Sequence, residues 1–94
     1  NLLAVAELLL QKLKKNLKEK EIEFVITESL KEKIVELGYE PIFGARQMRR
    51  VIQDKVENVL ASALLSGQLK RGDRIEIEPK EFKLIINPWP LLNL

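Results

Sequence analysis

Apolar residues recur at helical spacing in three stretches of the chain and take on strand character in three others. Leu2, Val5, Ala6, Leu9, Leu10, Leu13 and Leu17 share one face of a helix over residues 2–18, with Glu7, Gln11, Lys14, Lys15 and Lys18 opposite. The short run Ile22 to Ile26 is β-branched and aromatic and predicts a strand. Thr27 can cap a second helix, with Glu28 in its first turn where negative charge is favoured. Leu30, Ile34 and Leu37 give that helix a core stripe, and Gly38 is placed to end it as a left-handed cap residue. Tyr39 to Gly44 then reads as a turn.

The longest helix is predicted from about Ala45 to Ser66, stopping at Gly67. At about 100° per residue, Ala45, Met48, Ile52, Val56, Val59 and Ala63 form its core stripe, while Arg46, Arg50, Gln53 and Glu57 lie opposite. Leu60 and Leu64 project onto that second side and make it apolar near the C-terminal end. Both are therefore expected on a surface that another domain or subunit completes. After a turn at Lys70-Arg71-Gly72-Asp73, Arg74 to Glu78 alternates cleanly, and Phe82 to Ile86 supplies a hairpin partner beyond Pro79-Lys80. The order α-β-α-α-β-β predicts a small α+β domain with a sheet of about three strands, over residues 1–87. Residues 88–94 are set apart as a Pro-rich tail, because a sheet cannot run on through both Pro88 and Pro90.

Composition narrows the chemistry. The chain has 94 residues, 46% hydrophobic and 32% charged, the balance of one ordinary globular domain or a piece of a larger protein. It starts at Asn1, in mid-helix pattern and without Met, which points to a longer natural protein. No cysteine or histidine is present, so disulfides, the usual zinc sites, thiol nucleophiles and imidazole catalysis are excluded, and no metal site is expected. Neither Gly-x-x-x-x-Gly-Lys-[Ser/Thr] nor Gly-x-Gly-x-x-Gly occurs. Glu76 and Glu78 share one side of a strand, which reads as a solvated face rather than a paired-acid site. The isolated chain thus offers no catalytic residue. The opening NLLAVAELLL is short and interrupted by Glu7, so it is neither a membrane span nor a signal peptide, and a cytoplasmic location is expected.

One local rule is broken. Gly44-Ala45-Arg46-Gln47-Met48-Arg49-Arg50 puts three arginines into the first two turns of the long helix. The positive end of the helix dipole makes each cation there unfavourable by about 0.3–1 kcal/mol. A solvated face steadied by an Arg50–Asp54 pair is the plain explanation. The alternative is an external anion, most simply a phosphate, which suits free helix N–H groups and bidentate arginine donors. Residue types alone leave nucleotide, nucleic acid and lipid open.

The run GYEPIFGARQMRRVIQDKVENVLASALLSG, Gly38 to Gly67, resembles the C-terminal small domain of the Clp-type AAA+ unfoldases, the relatives of ClpA, ClpB and ClpC. Their pattern is Gly-Tyr-x-Pro-x-[Tyr/Phe]-Gly-Ala-Arg, then basic residues on a long helix with a Ser/Gly stop. The leucine-striped first helix, the strand before Thr27 and the Gly-Asp turn also fit, so the resemblance covers about residues 2–86. It implies that Arg46 is the sensor-2 arginine, which reaches from a lid domain to the γ-phosphate held on a preceding large domain. Gly44 and Ala45 would make the close approach to the nucleotide, with Tyr39, Pro41 and Phe43 shaping the turn. Arg49 and Arg50 match basic positions that would stand behind Arg46 or face a neighbouring subunit.

The same resemblance implies ATP or ADP with Mg²⁺ in a full-length parent, which would carry the phosphate-binding loop upstream, and no tight binding to this piece alone. Implied partners are that upstream large domain and the neighbouring subunits of a hexameric ring. Whether the parent also docks a protease, and which Clp type it is, are left open. Gln47 departs from a position that is often Pro. Two readings of another class stand beside this one: a nucleic-acid-binding module using the basic helix start, which the net charge of only +2 argues against, and a purely structural oligomerisation domain.

Overall fold

A computed structural model describes residues 1–88, the last two in backbone only; the proposed tail from Trp89 onward lies outside the described residues. Helix α1 runs Leu2–Lys18, strand β1 Glu23–Phe24 and helix α2 Glu28–Gly38. One continuous helix follows in three stretches: α3 (Arg46–Val51), a π-helical segment (Ile52–Glu57) and α4 (Asn58–Ser66). Strands β2 (Asp73–Glu78) and β3 (Lys83–Pro88) close the order. The α+β class and the order α-β-α-α-β-β are as the sequence predicts. Only two of the five residues read as the first strand pair in the sheet, and β3 runs two residues past Ile86, so Pro88, set apart with the tail, ends the strand opposite Asp73.

The local reasons are visible at the ends of the elements. Asn1 caps α1, its side chain accepting from the Ala4 N–H, and Lys15 and Lys18 sit in the last turn where the dipole favours cations. Thr27 caps α2 by accepting from the Leu30 N–H at 3.2 Å. Thr27→Ala should therefore cost about 1 kcal/mol, read as a lower melting temperature, whereas Thr27→Ser should cost little. Gly67 ends α4 in the left-handed conformation, φ 82°.

The sheet order is β1-β2-β3, with β1 parallel to β2 and β2 antiparallel to β3. Ile75 and Ile77 on β2 are buried beneath the helices, and the alternate positions Arg74, Glu76 and Glu78 face outward. Phe24 is fully buried with Leu10 of α1, Leu30 and Ile34 of α2, and Met48 and Val56 of the long helix. Lys31 ties α1 to α2, 2.9 Å from Glu7 and 3.0 Å from Glu28.

Glu78 turned out to hold the β2–β3 turn. Its carboxylate accepts from the Lys80 N–H at 2.7 Å and the Glu81 N–H at 2.9 Å. Those two backbone donors lower its pKa from the usual value, and hydrogen bonds from Gln11 and then Lys31 lower that of Glu7. A carboxyl depressed in the folded state adds stability above its unfolded pKa and loses it as pH falls through the folded one. The melting temperature should thus drop as pH is lowered below about 4.5, and a Glu7→Gln/Glu78→Gln variant should show a flatter acid limb.

The π segment corrects the reading of Leu60. Leu60 is 2% exposed and belongs to the chain's own core, so it is not a surface residue awaiting a partner. At about 100° per residue it would point roughly 120° away from Met48. Over Ile52–Glu57 the helix is underwound, the Asn58 N–H bonding to the Gln53 carbonyl five residues back. Six residues at roughly 80° each bring Leu60 to within about 10° of Met48. The same underwinding turns Leu65 outward, where it is 90% exposed. Leu64 is half-buried at the edge of the core and keeps an open side.

Candidate functional site

The turn between α2 and α3 is a closed loop. The Gly44 N–H donates to the Glu40 carbonyl at 2.7 Å and the Glu40 N–H to the Gly44 carbonyl at 3.3 Å, holding Pro41, Ile42 and Phe43 in a knuckle. Gly44 has φ +61°, the left-handed region that costs an L-residue about 1–2 kcal/mol, and a Cβ there would meet nothing within 4 Å. Glycine is required by the backbone angle, and its absent side chain leaves the approach to Ala45 open. Ala45 sits at φ −87°, ψ 1°, in the sparsely populated bridge region where many active-site residues are found.

Ala45 is also the N-cap, and no side chain caps this helix. Backbone carbonyls of the turn take part of that role, the Met48 N–H donating to the Ala45 carbonyl at 3.0 Å. Arg46 is exposed, its N–H bonded to the Phe43 carbonyl at 3.2 Å. Its guanidinium lies over the Phe43 ring, 5.4 Å from the centroid. A cation–π contact at an exposed site is worth about 0.5–1 kcal/mol. That is enough to bias the side chain toward one direction while its N–H donors stay free.

Arg49 and Arg50 are exposed one turn further on. Among the described residues none of the three arginines forms an ion pair, and the anticipated Arg50–Asp54 pair does not form. Exposed apolar side chains lie in the turn before it and at the end of α2. Ile42 is 83% exposed, and Leu37, Tyr39 and Phe43 are each about half exposed.

Residue types in the turn gave Gly38 the wrong task. It is the last residue of α2 and does not adopt a left-handed angle; Tyr39 caps the helix in an extended conformation. What demands glycine is contact with the next helix: a Cβ on Gly38 would stand 2.6 Å from the Met48 Cα and 2.8 Å from its N. Met48 is fully buried there. The start of α3 is thereby pressed onto the end of α2, and the position of Arg46 depends on that contact.

Residues 1–77 match the family model described as the C-terminal, D2-small domain of ClpB protein. This chain is a member of that family. Among curated proteins, the ATP-dependent Clp protease ATP-binding subunit ClpA homolog (chloroplastic) of Brassica napus is 39% identical over 74 residues, 79% of this chain and 8% of that protein. The chaperone protein ClpB of Aquifex aeolicus is 34% identical over 84 residues, 89% of this chain and 8% of its own length. ClpB of Wolinella succinogenes is 31% identical over 81 residues, 86% of this chain and 10% of its own. The D2-small domain thus spans a tenth or less of the length of these relatives. Among the described residues no helix is long and apolar enough to cross a membrane.

The D2-small domain fits a nucleotide phosphate in part. Arg46 offers a permanent charge with no ion pair among the described residues, and Gly44 and Ala45 are only half-buried beside it, although both polar backbone groups of Gly44 are taken by Glu40. The sequence holds no phosphate-binding loop, so most of a nucleotide's contacts would have to come from elsewhere.

Proposed function

We propose that this D2-small domain is the nucleotide-sensing lid of an ATP-dependent, ring-forming Clp unfoldase or disaggregase. One observation carries the reading: an exposed arginine with no ion pair among the described residues, held over Phe43 at a helix start without a side-chain cap, in a chain of the D2-small family. The large domain upstream would bind Mg²⁺–ATP, which supplies the transferable phosphoryl group. This chain binds no nucleotide tightly alone and hydrolyses none. Its part is to place Arg46, with the backbone of Gly44 and Ala45 alongside, where a γ-phosphate sits.

An arginine makes a bidentate, charge-assisted contact with phosphate that carries through only while the γ-phosphate is present. Such a bond is worth about 1.5–3 kcal/mol. Because it forms in the ATP state and not in the ADP state, it can drive the lid between two positions, as a switch requires. Exposed apolar side chains at Leu37, Tyr39, Ile42 and Phe43 suit a surface that the large domain covers. Arg49, Arg50 and the open side of Leu64 are assigned to contacts behind Arg46 or with the next subunit of a hexamer. A cytoplasmic location is part of the same proposal, as is any protease docked through the ring.

The reading is tested by nucleotide affinity of the full-length protein. Arg46→Ala should weaken ATP binding roughly 10- to 150-fold and leave ADP binding within about twofold. Equal losses for both nucleotides, or none, would remove the γ-phosphate from the account.

A further inference from the structure

The long helix changes its winding where its packing changes. The α3 half lies on α2, with the Met48 backbone against Gly38, whereas the α4 half packs against β3. The π segment Ile52–Glu57 joins the two. Regular α winding with one residue fewer would also carry position 60 back to within about 20° of Met48, eleven steps at about 100° replacing twelve mixed ones. The core stripe therefore does not need the wide turn; the helix holds one residue more than its packing requires. Gln53, Asp54 and Lys55 in this segment are all exposed, so the surplus lies on the solvent side.

We propose that this surplus residue is the slack of a swivel between the Arg46-bearing half of the helix and the half fixed to the sheet. Wide turns of this kind are rare and, set inside α-helices, frequently mark functional sites. Here the turn lets α3 rewind against α4 as Arg46 gains or loses its phosphate, while Leu60 and Ala63 keep their places in the core. The inference rests on Arg46 as the nucleotide sensor.

Deleting Asp54 in the full-length protein tests it. The shortened helix should wind as a regular α-helix with the same core face. Ring assembly and melting temperature should match or exceed wild type, and amide exchange over residues 52–58 should slow. ATP affinity should hold while turnover falls by at least about fivefold, the lower end of ordinary coupling between sites. Deleting Ala61 instead turns Ala63 and Leu64 by about 100° and should unfold the domain. An Asp54 deletion that unfolds, or one that folds and keeps wild-type turnover, overturns the swivel. If Arg46→Ala collapses turnover but the Asp54 deletion does not, only the swivel fails. If Arg46→Ala is silent, the nucleotide-sensing reading fails with it.

Discussion

Gly38→Ala should lower the melting temperature of this domain and weaken its response to ATP together, although Gly38 carries no side chain and touches no ligand. Two terms compete. Alanine is the better helix former by about 0.8–1 kcal/mol in a helix interior, a gain that is at most partly realised at Gly38, the last residue of α2. Against that, the new methyl would stand 2.6 Å from the Met48 Cα and 2.8 Å from both its N and its Cγ. The Cγ can rotate aside, but the other two are backbone atoms of a buried residue and can move only if α3 moves. Overpacking of this kind costs about 1–3 kcal/mol and occasionally more, so the steric term wins. A net loss of about 1 kcal/mol would depress the melting temperature by roughly 4–8 °C in a domain of this size.

The second consequence separates this contact from an ordinary core position. Relief of the clash by moving α3 displaces Arg46, two residues before Met48, so discrimination between ATP and ADP should shrink in the molecules that remain folded. Met48→Ala should not rescue Gly38→Ala, because the backbone atoms that the methyl meets are still there. Restoration of stability by that double change would show that the Met48 side chain, not the helix backbone, sets the constraint.

Much of this architecture is written in local pattern. The leucine stripe of α1, the Thr27 cap and the alternation on β2 follow from rules that look only a few residues along the chain, and the structure shows each of them. Failures came where distant segments decide. Gly38 looks like a helix stop until the α3 backbone is set beside it. Leu60 falls on the wrong face under a uniform 100° per residue, because nothing in Ile52 to Glu57 announces a wide turn; burial of Leu60 itself is the compensation. The Phe43–Arg46 stack was within reach, since the two lie three residues apart across a Gly-Ala turn. The absence, among the described residues, of any ion pair to Arg46, Arg49 or Arg50 was not, because it depends on which acids the fold brings near.

Those three arginines return the question to the anion they serve. If Arg46 holds the γ-phosphate from ATP binding onward, losing its contact removes about 1.5–3 kcal/mol of stabilisation, or roughly 10- to 150-fold in turnover at ATP concentrations below KM. Arg46→Lys keeps the charge but loses the two-pronged geometry, so it should recover only part of the rate. The most direct measurement is steady-state ATP turnover by the full-length protein at ATP concentrations below KM, with Arg46→Ala beside wild type, Lys80→Ala as an exposed control and ring assembly followed in parallel. The account predicts intact rings in all three and a collapse of turnover in Arg46→Ala alone. Wild-type turnover in Arg46→Ala, with rings intact, would contradict it.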